Sequence, residues 1–369
     1  MYLEHLSVSN FRNYVAAELQ PAPQGVTLLQ GDNGAGKTNL LEAVGYFATL
    51  RSFRGAPTAS LVRSGTEQAV LRARANRQGR ALLIEAEVNV SRRDKVQLNR
   101  QPLRRNDELL GAVLVTVFSP DDIEVVKGAP QSRRQYLDEI LVALHPKHNA
   151  AHVELERVLK QRNALLRSAA GTLRGSMAST LDVWDSKLAD VGEVIAQARE
   201  SLVASLQDES DEAYLKLSAA PSPNGGAVRL RYERSWEGSL LAALGGARNE
   251  DVRRGVTSVG PQRDDLFLSI EGMAARTQAS QGEQRSLALA LRLGGHSLVT
   301  ARQSSSPVLL LDDVFSELDP HRSAALAACL PEGQTLLTSA GPVPEGLPVA
   351  QHALVRDGTL YPASGASSP

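Results

Sequence analysis

The sequence predicts an α/β fold, a mixed sheet with flanking helices that is interrupted by a mainly helical insertion. Three observations support this class. The glycine-rich stretch GDNGAGKT, Gly31 to Thr38, lies between the apolar run VTLLQ and a helix-prone segment. A second apolar run, VLLLDD, ends at Asp313 and has the composition of a strand buried on both faces. Between them, residues from about 130 to 211 show the i, i+3, i+4 apolar recurrence of helices.

The glycine-rich stretch has the pattern G-x-x-x-x-G-K-[ST] of a P-loop (Walker A motif). Its glycines let successive backbone N–H groups converge on phosphates at a helix N-terminus. We expect Lys37 to reach the β- and γ-phosphates of ATP and the Thr38 hydroxyl to ligate Mg²⁺. The residues predicted from this motif to bind the nucleotide are Gly31, Asn33, Gly34, Ala35, Gly36, Lys37, Thr38 and Asn39.

The second half of a P-loop site is a carboxylate at the end of a buried strand (Walker B motif), and VLLLDD supplies one. Asp312 is the expected magnesium carboxylate. Asp313 follows it, where a base could polarise the attacking water. Lys37 and Asp313 are therefore the candidate catalytic residues, and Thr38 and Asp312 the candidate metal ligands.

A third motif, Ser280-Gln-Gly-Glu-Gln284, stands before the helical run RSLALALRL. One interpretation is structural, with Ser280 as N-cap and Glu283 as its capping-box partner. The other is functional, because a helix N-terminus with a serine and a glycine favours an anion, and S-x-G-[EQ]-Q is the signature of the ATP-binding-cassette superfamily. In that superfamily the signature contacts the γ-phosphate held by the opposite subunit. The residues expected to bind a partner's ATP, and so to make an ATP-dependent homodimer, are Ser280, Gln281, Gly282 and Glu283.

Composition describes an ordinary globular chain. Its 369 residues predict two to three domains, and the formal net charge is −1. The single cysteine, Cys329, excludes an intramolecular disulfide. We expect a cytoplasmic protein with no membrane partner, because no window is apolar enough to span a bilayer and the N-terminus lacks a signal pattern.

Positive charge is concentrated between Arg51 and Arg105, where 13 Arg/Lys stand against four Asp/Glu. The solvated face of a sheet accounts for many such runs. The alternative is a surface that follows DNA phosphates, since Lys and Arg supply most of the affinity for the DNA backbone. The candidate DNA-binding residues are Arg51, Arg54, Arg72, Arg74, Arg92 and Arg93.

The order of patterns along the chain predicts one head divided by an insertion. Residues 1–120 alternate short strands and turns and form the first part of an ATPase head, and residues 121–258 form an arm domain. Its two long helical patterns are either an antiparallel hairpin or part of an ordinary globular subdomain. The segment PSPNGGAV, residues 221–228, is expected to be a turn. Residues 259–345 return to the head, and residues 346–369 are a C-terminal tail to which we assign no function.

Together these motifs resemble the RecF family of bacterial DNA replication and repair proteins, over residues 2 to about 340. The segments that carry the resemblance are NFRNY, GDNGAGKTNLLEAV, FSPDD, KGAP, RRQYLD, VGPQRDD, SQGEQR and LLLDDVFSELD. The resemblance implies an ABC-type ATPase head like those of SMC and Rad50 proteins, with a short arm. It also implies ATP-dependent dimerisation on double-stranded DNA or at single/double-strand junctions, weak DNA-stimulated ATP hydrolysis, and cooperation with RecR and RecO in loading RecA onto gapped DNA.

The resemblance adds one site residue and exposes some departures. Arg12, in NFRNY, matches an arginine that approaches the phosphates in related proteins; the alternative is a surface arginine at a strand end. Asp313 is one methylene shorter than the glutamate of many cassettes, and Thr338 and Ser339 fall where a switch histidine is usual. Residues 119–122, Ser-Pro-Asp-Asp, are either the equivalent of the glutamine loop or a helix start.

Two other functional classes compete with this interpretation. The motor subunit of a transporter would lack both the arm and the basic segment, and its Walker loop and signature would be much closer together than Lys37 and Ser280 are. A purely structural SMC-type scaffold would have longer heptad repeats. The sequence favours a clamp in which ATP joins two chains.

Overall fold

The computed structural model describes residues 1–173, 175–218 and 228–362. The predicted turn at residues 221–228 lies, except for Val228, outside them. The strands are β1 Tyr2–Phe11, β2 Tyr14–Leu19, β3 Gly25–Gln30, β4 Gln68–Arg77, β5 Arg80–Asn89, β6 Lys95–Leu98, β7 Gln101–Pro102, β8 Val115–Phe118, β9 Val228–Glu233, β10 Asp265–Ile270, β11 Met273–Ala274, β12 Val308–Asp312, β13 Gln334–Ser339, β14 Val349–Arg356 and β15 Thr359–Pro362.

The α-helices include those predicted between about residues 130 and 211 and others that the sequence did not predict. They are α1 Lys37–Thr49, α2 Ile123–Lys127, α3 Pro130–Leu144, α4 Lys147–Ser168, α5 Ser176–Leu217, α6 Leu240–Arg254, α7 Ala275–Gln278, α8 Gln281–Gln303 and α9 Pro320–Ala328. Within the described residues, none of the helices is both long and apolar enough to span a membrane.

The chain divides into two compact units. The first comprises Met1–Ile123, Glu209–Gly225 and Gln281–Pro369, and the second comprises Glu124–Asp208 and Gly226–Ser280. The insertion between Walker A and the signature is therefore present, but its bounds differ from the predicted 121–258. The second unit extends to residue 280, and Glu209–Gly225, which the sequence assigned to the arm, belongs to the first unit. The strand LFLSIEG leads toward the signature helix, which suggests the head, but it pairs with β9 in the second unit.

The first unit contains two sheets. One is antiparallel, with strand order β2-β1-β4-β5-β6-β7. The other has the order β15-β14-β3-β13-β12-β8, and all its pairings are parallel except β14 with β15. Buried residues of α1 share one core with both sheets, including Leu41, Val44 and Phe47. This is the predicted mixed sheet with flanking helices.

The C-terminal strands differ from the expectation for residues 346–369. Val349–Arg356 pairs with β3 and Thr359–Pro362 pairs with β14, so the head sheet continues to residue 362. Residues 363–369 of the expected tail lie outside the described residues. The tail assignment was wrong for residues 349–362, because pairing with β3 orders a segment whose neighbouring prolines and glycines suggest a loose chain.

The second unit is a small globular domain that contains the predicted pair of helices. Leu155 and Val158 of α4 pack with Leu188 and Ile195 of α5, and α6 completes this core. A three-stranded sheet of order β11-β10-β9 belongs to the same unit. Both sequence interpretations of the arm therefore hold in part, because the hairpin is one side of a packed subdomain.

A buried arginine joins α4, α5 and α6 of the second unit. The guanidinium of Arg162 has no exposed surface; it donates to Asp185 at 2.7 Å, to Asp251 at 2.7 Å and to Thr257 at 2.9 Å. These carboxylates are also buried, so each charge depends on the others for compensation. The arm is held together by this ionic network as well as by apolar packing.

Candidate nucleotide site

The P-loop connects β3 to α1, as the motif predicted. Helix α1 begins at Lys37, and Gly36 before it has φ 113°, a backbone conformation that residues with side chains rarely adopt. A Cβ at Gly36 would lie 2.6 Å from Asn13 Nδ2 and 2.9 Å from the Tyr14 hydroxyl oxygen. Asn33 and Gly34 are exposed, whereas Ala35, Gly36 and Lys37 are buried, so the loop presents one edge to solvent and rests on β1 and β2 with the other.

Lys37 lies against the start of the loop. Its ammonium donates to the carbonyl oxygen atoms of Gly31 at 2.7 Å and of Asp32 at 2.9 Å, and 6% of the residue is exposed. An ammonium has three donors, and these two bonds leave one for another acceptor. The arrangement fixes a positive charge within the loop where the motif expects phosphates.

The two predicted metal ligands are in direct contact. The Thr38 hydroxyl donates to Asp312 Oδ1 at 2.6 Å, and the Thr338 hydroxyl donates to the same oxygen at 2.8 Å. The order of the strands explains these contacts. Asp312 of β12 is aligned with Thr338 of the parallel strand β13, and Thr38 follows β3 on the other side of β13. Residues 38 and 312, distant in sequence, thus form one cluster at the carboxyl ends of the strands.

The electrostatics of Asp312 suit a bound cation. Burial raises the pKa of its carboxyl and neighbouring Asp313 raises it further, whereas the hydrogen bonds from Thr38 and Thr338 and the charge of Arg54 lower it. Desolvation therefore disfavours the ionised form unless a positive charge compensates it. A hydroxyl and a carboxylate are oxygen ligands that Mg²⁺ accepts together with water and nucleotide phosphates, so these residues fit that metal.

Asp313 has a side-chain oxygen that can accept a hydrogen bond. Its backbone is left-handed, with φ 49°, and its N–H donates to Thr338 Oγ1 at 2.9 Å. Within the described part of the chain, its Oδ1 is buried and has no hydrogen-bond partner. A buried carboxylate oxygen without a donor is costly and suggests a bound water or ligand. The position agrees with the predicted base, whose role stays a prediction.

Arg12 has a structural partner that the sequence did not suggest. Its guanidinium forms two hydrogen bonds of 2.7 Å to Glu42, which has no exposed surface, and a third of 3.0 Å to the Ser60 carbonyl. Glu42 lies on α1, one turn after Thr38. Arg12 therefore compensates a buried charge of the P-loop helix, and the expected contact with phosphate stays a prediction.

Three residues that sequence reasoning missed support the loop. Asn13 donates to the Ala35 carbonyl at 3.0 Å and accepts from Asn39 at 2.8 Å, while the Tyr14 hydroxyl donates to the Gly36 carbonyl at 3.0 Å. The N–H of Gly358 donates to the same Ala35 carbonyl at 3.0 Å. Asn13 and Tyr14 stand beside Arg12 in the NFRNY motif, which was the signal for both. The Asp357-Gly358 turn between β14 and β15 was the signal for the third.

The signature helix α8 begins at Gln281, immediately after the exposed Ser280, where the sequence expected a helix start. Its first turns are tied to the segment that follows Asp313. Arg285 forms an ion pair of 2.9 Å with Glu317, and Ser286 accepts a hydrogen bond of 3.0 Å from Arg322 Nε. The N-terminal part of α8 is thus coupled to the loop beyond the Walker B strand. The predicted contact of residues 280–283 with a partner's ATP stays a prediction.

Residues 119–122 form a helix start, and their equivalence to a glutamine loop stays a prediction. The Ser119 N–H donates to Asp122 Oδ2 at 2.8 Å across a 3-10 turn at Pro120–Asp122. Asp122 Oδ1 accepts from Arg292 of α8 at 2.8 Å. This segment links the end of β8 to the middle of the signature helix.

The turn VGPQRDD lies within the second unit. Arg133 donates twice to Asp265, at 2.6 and 2.9 Å, and Asp264 accepts from the Ser235 N–H at 2.8 Å and from the Tyr232 hydroxyl. The charges of this turn therefore hold β9, β10 and α3 together.

The candidate DNA-binding arginines are all exposed, but their surroundings differ. Arg72 is paired with Glu85 on the neighbouring strand at 2.7 Å, as in a solvated sheet face. Among the described residues, no ion pair is found for Arg74 or for Arg92 and Arg93, which lie at the β5–β6 turn. Arg51 and Arg54 follow α1. Both interpretations of the basic segment therefore remain, with Arg72 the residue that best fits the solvated face.

Comparison with known proteins places this site in a family. A family model described as the RecF/RecN/SMC N terminal domain matches residues 2–338. The DNA replication and repair protein RecF of Streptomyces avermitilis is 43% identical over 354 residues, which covers 92% of this chain and 93% of that protein. Its counterpart in Frankia alni is 45% identical over 356 residues, with the same coverage.

Solved structures agree. A structure of the recombination mediator protein RecF-ATP in the RecFOR pathway has a TM-score of 0.88 and 28% identity, and the match covers 98% of each chain. An SMC head bound to the C-winged helix domain of ScpA matches at a TM-score of 0.57 and 16% identity, over 98% of this chain and 96% of that chain, which shows the fold alone. The chain therefore belongs to the RecF family of DNA replication and repair proteins, whose head is an ABC-type ATPase fold shared with SMC proteins.

Proposed function

We propose that this protein is an ATP-dependent DNA-binding clamp for the recombinational repair of gapped DNA. ATP binding joins two heads on double-stranded DNA, and slow hydrolysis releases them. The observation that carries the proposal is the 2.6 Å hydrogen bond from Thr38 to Asp312, which joins both halves of a nucleotide site in a RecF-type head.

Each protomer contributes different residues to the two shared sites. The P-loop N–H groups and Lys37 bind the phosphates, and Thr38 and Asp312 would hold Mg²⁺, which neutralises charge on the phosphate oxygens when bound. The first turn of α8, with Ser280 and Gly282, contacts the γ-phosphate of the partner's ATP. ADP lacks that phosphate, so the dimer dissociates after hydrolysis.

Hydrolysis in this proposal is weak and regulatory. Water attacks the γ-phosphorus, the bond to the bridging oxygen breaks, and Asp313 Oδ1 accepts the proton. The aspartate is shorter than a glutamate, and where a histidine is usual Thr338 donates to the Asp312 carboxylate and accepts the backbone N–H of Asp313. Both features favour a long-lived ATP state, with duplex DNA stimulating turnover.

The wider role follows from the family. The proposal places the protein in the cytoplasm, at duplex DNA beside single-stranded gaps, where it assists RecA loading together with RecR and RecO. The solved structure that resembles this chain is that of a recombination mediator protein in the RecFOR pathway, and this supports the assignment. The exposed arginines at residues 51, 54, 74, 92 and 93 are the first candidates for phosphate contacts.

The testing experiment is light-scattering mass measurement without nucleotide, with ADP and with ATP·Mg²⁺, each with and without a 30-base-pair duplex at two salt concentrations. We expect a dimer only with ATP and salt-sensitive DNA binding. Lys37→Met is expected to lose ATP binding. Ser280→Arg is expected to bind ATP but stay monomeric, because a bulky cation would occupy the shared site. A wild-type protein that is monomeric throughout, or a Ser280→Arg protein that dimerises normally, would contradict the proposal.

A further inference from the structure

Arg322 lies against the first turn of the signature helix. It is the third residue of α9, and its N–H donates at 2.9 Å to the N-cap residue Asp319. Its side chain turns back, pairs with the Asp319 carboxylate, and donates from Nε to Ser286 Oγ at 3.0 Å. A Cβ built on Gly282 would lie 2.8 to 2.9 Å from three guanidinium atoms. The guanidinium therefore packs on the signature glycine itself, a contact that a side chain at 282 would displace.

The location is electrostatically unfavourable for a cation unless an anion joins it. The N-terminal end of a helix carries partial positive charge, so a guanidinium there is repelled. Glu283 in the first turn of α8 and Asp319 offset part of this, but 43% of the Asp319 side chain is exposed and water weakens its pair with Arg322. An approaching phosphate would be favoured by both the helix and the arginine.

Arg322 also keeps hydrogen-bonding capacity. Its side chain is 23% exposed. Nε and one terminal nitrogen are engaged, and across the described ranges no hydrogen bond is found for the other terminal nitrogen, the guanidinium atom nearest to Gly282. A guanidinium has five donors in a planar fork, so this nitrogen can still donate two hydrogen bonds.

We propose that Arg322 is a further phosphate-binding residue of the signature, which donates to the γ-phosphate of the ATP held by the partner protomer. This rests on the proposed function, in which the first turn of α8 meets that phosphate. Arginine forms strong, charge-assisted bonds with phosphate oxygens. Because Asp313 and Arg322 belong to one short segment, the segment that positions the base for one ATP also contacts the other.

The test compares Arg322→Gln and Arg322→Lys with the matched control Ser286→Ala. Glutamine keeps a donor for Ser286 but removes the charge, lysine keeps the charge but not the planar fork, and the control removes only the hydroxyl that anchors Arg322. Three quantities are measured for each: melting temperature, affinity of the monomer for a fluorescent ATP analogue, and the dimer dissociation constant in ATP·Mg²⁺.

We expect all variants to bind the analogue like the wild type. Arg322→Gln should raise the dimer dissociation constant about 100-fold, because each symmetric dimer loses two contacts worth roughly tenfold each. Arg322→Lys should give an intermediate value, and Ser286→Ala should dimerise like the wild type. Normal dimerisation of Arg322→Gln, or an equal loss in Ser286→Ala, would overturn the assignment and make Arg322 a structural anchor. A wild-type protein that fails to dimerise with ATP would instead contradict the proposed function.

Discussion

The turn between β14 and β15 offers a test of how the P-loop is held. Gly358 has φ 71° and donates its N–H to the Ala35 carbonyl at 3.0 Å. A Cβ at this position would lie 2.9 Å from the Asn13 carbonyl oxygen. Asn13 also donates to Ala35, so the change Gly358→Ala would push on both groups that hold that carbonyl.

The magnitude follows from those contacts. A Cβ cannot stay at 2.9 Å from a backbone oxygen, so the turn or Asn13 must move and the bonds to Ala35 weaken. Each is worth about 0.5 to 1.5 kcal/mol, so losing both costs about 1 to 3 kcal/mol. If the loop needs both bonds to hold its nucleotide-binding conformation, the binding free energy of ATP weakens by the same amount and the affinity falls by roughly 5-fold to 150-fold. Left-handed strain should lower stability by a further ~1 to 2 kcal/mol.

A matched control separates strain from contact. Gly346 has φ 83° and nothing within 4 Å of its built Cβ, so Gly346→Ala introduces similar strain without the clash. The assay is titration with a fluorescent ATP analogue beside thermal unfolding. We expect both variants to lose stability and only Gly358→Ala to lose ATP affinity. Equal ATP affinities in the two variants would refute the claim that this turn supports the loop.

Three further predictions concern buried carboxylates. Asp312→Asn should stabilise the nucleotide-free protein at pH 7, because burial raises the pKa of this carboxyl and makes its ionised form unfavourable in the folded state. This gain in stability should decrease as the pH falls through the raised pKa, and it should vanish below about pH 4, where the carboxyl of the unfolded chain is also protonated. Equal melting-temperature gains at pH 4 and 7 would contradict this. Arg162→Met leaves Asp185 and Asp251 buried without their partner and should destabilise the second unit by about 3 to 5 kcal/mol in denaturant titrations, with ATP affinity unchanged. Asp313→Asn should slow turnover and trap the ATP-bound dimer, and unchanged turnover would remove it from the mechanism.

Patterns of short range predicted most of the head. VTLLQ and VLLLD are strands because their apolar runs are buried on both faces, as β3 and β12 show. The strand β2, YVAAEL, was not predicted, since its middle residues are small or exposed and it gains its order from pairing with β1. The hairpin β14–β15 did carry a signal, the Asp-Gly pair at 357 and 358 between apolar runs.

The candidate site was predictable where a motif defines the chemistry. Thr38 and Asp312 were named as partners and are in contact. The supports of the loop could not be predicted, because Asn13 and Gly358 act through backbone carbonyls that only the folded chain brings near. Arg162 is similar: in a polar helical stretch it resembles a surface arginine, and its burial depends on carboxylates from two other helices.

Thr338 makes a different hydrogen bond to each of the two Walker B aspartates. Its single hydroxyl hydrogen is directed to Asp312 Oδ1, and its oxygen accepts the N–H of Asp313. Asp312 Oδ1 thus accepts from two hydroxyl groups, which favour the ionised carboxylate that a metal needs. Within the described chain Asp313 Oδ1 accepts no hydrogen bond, so it can accept one from water. A threonine hydroxyl does not titrate near neutral pH, unlike the histidine of many cassettes. The Thr338 hydroxyl can orient these groups but cannot take a proton in turnover. This supports our proposal that ATP binding joins the two heads and that slow hydrolysis determines how long the dimer lasts.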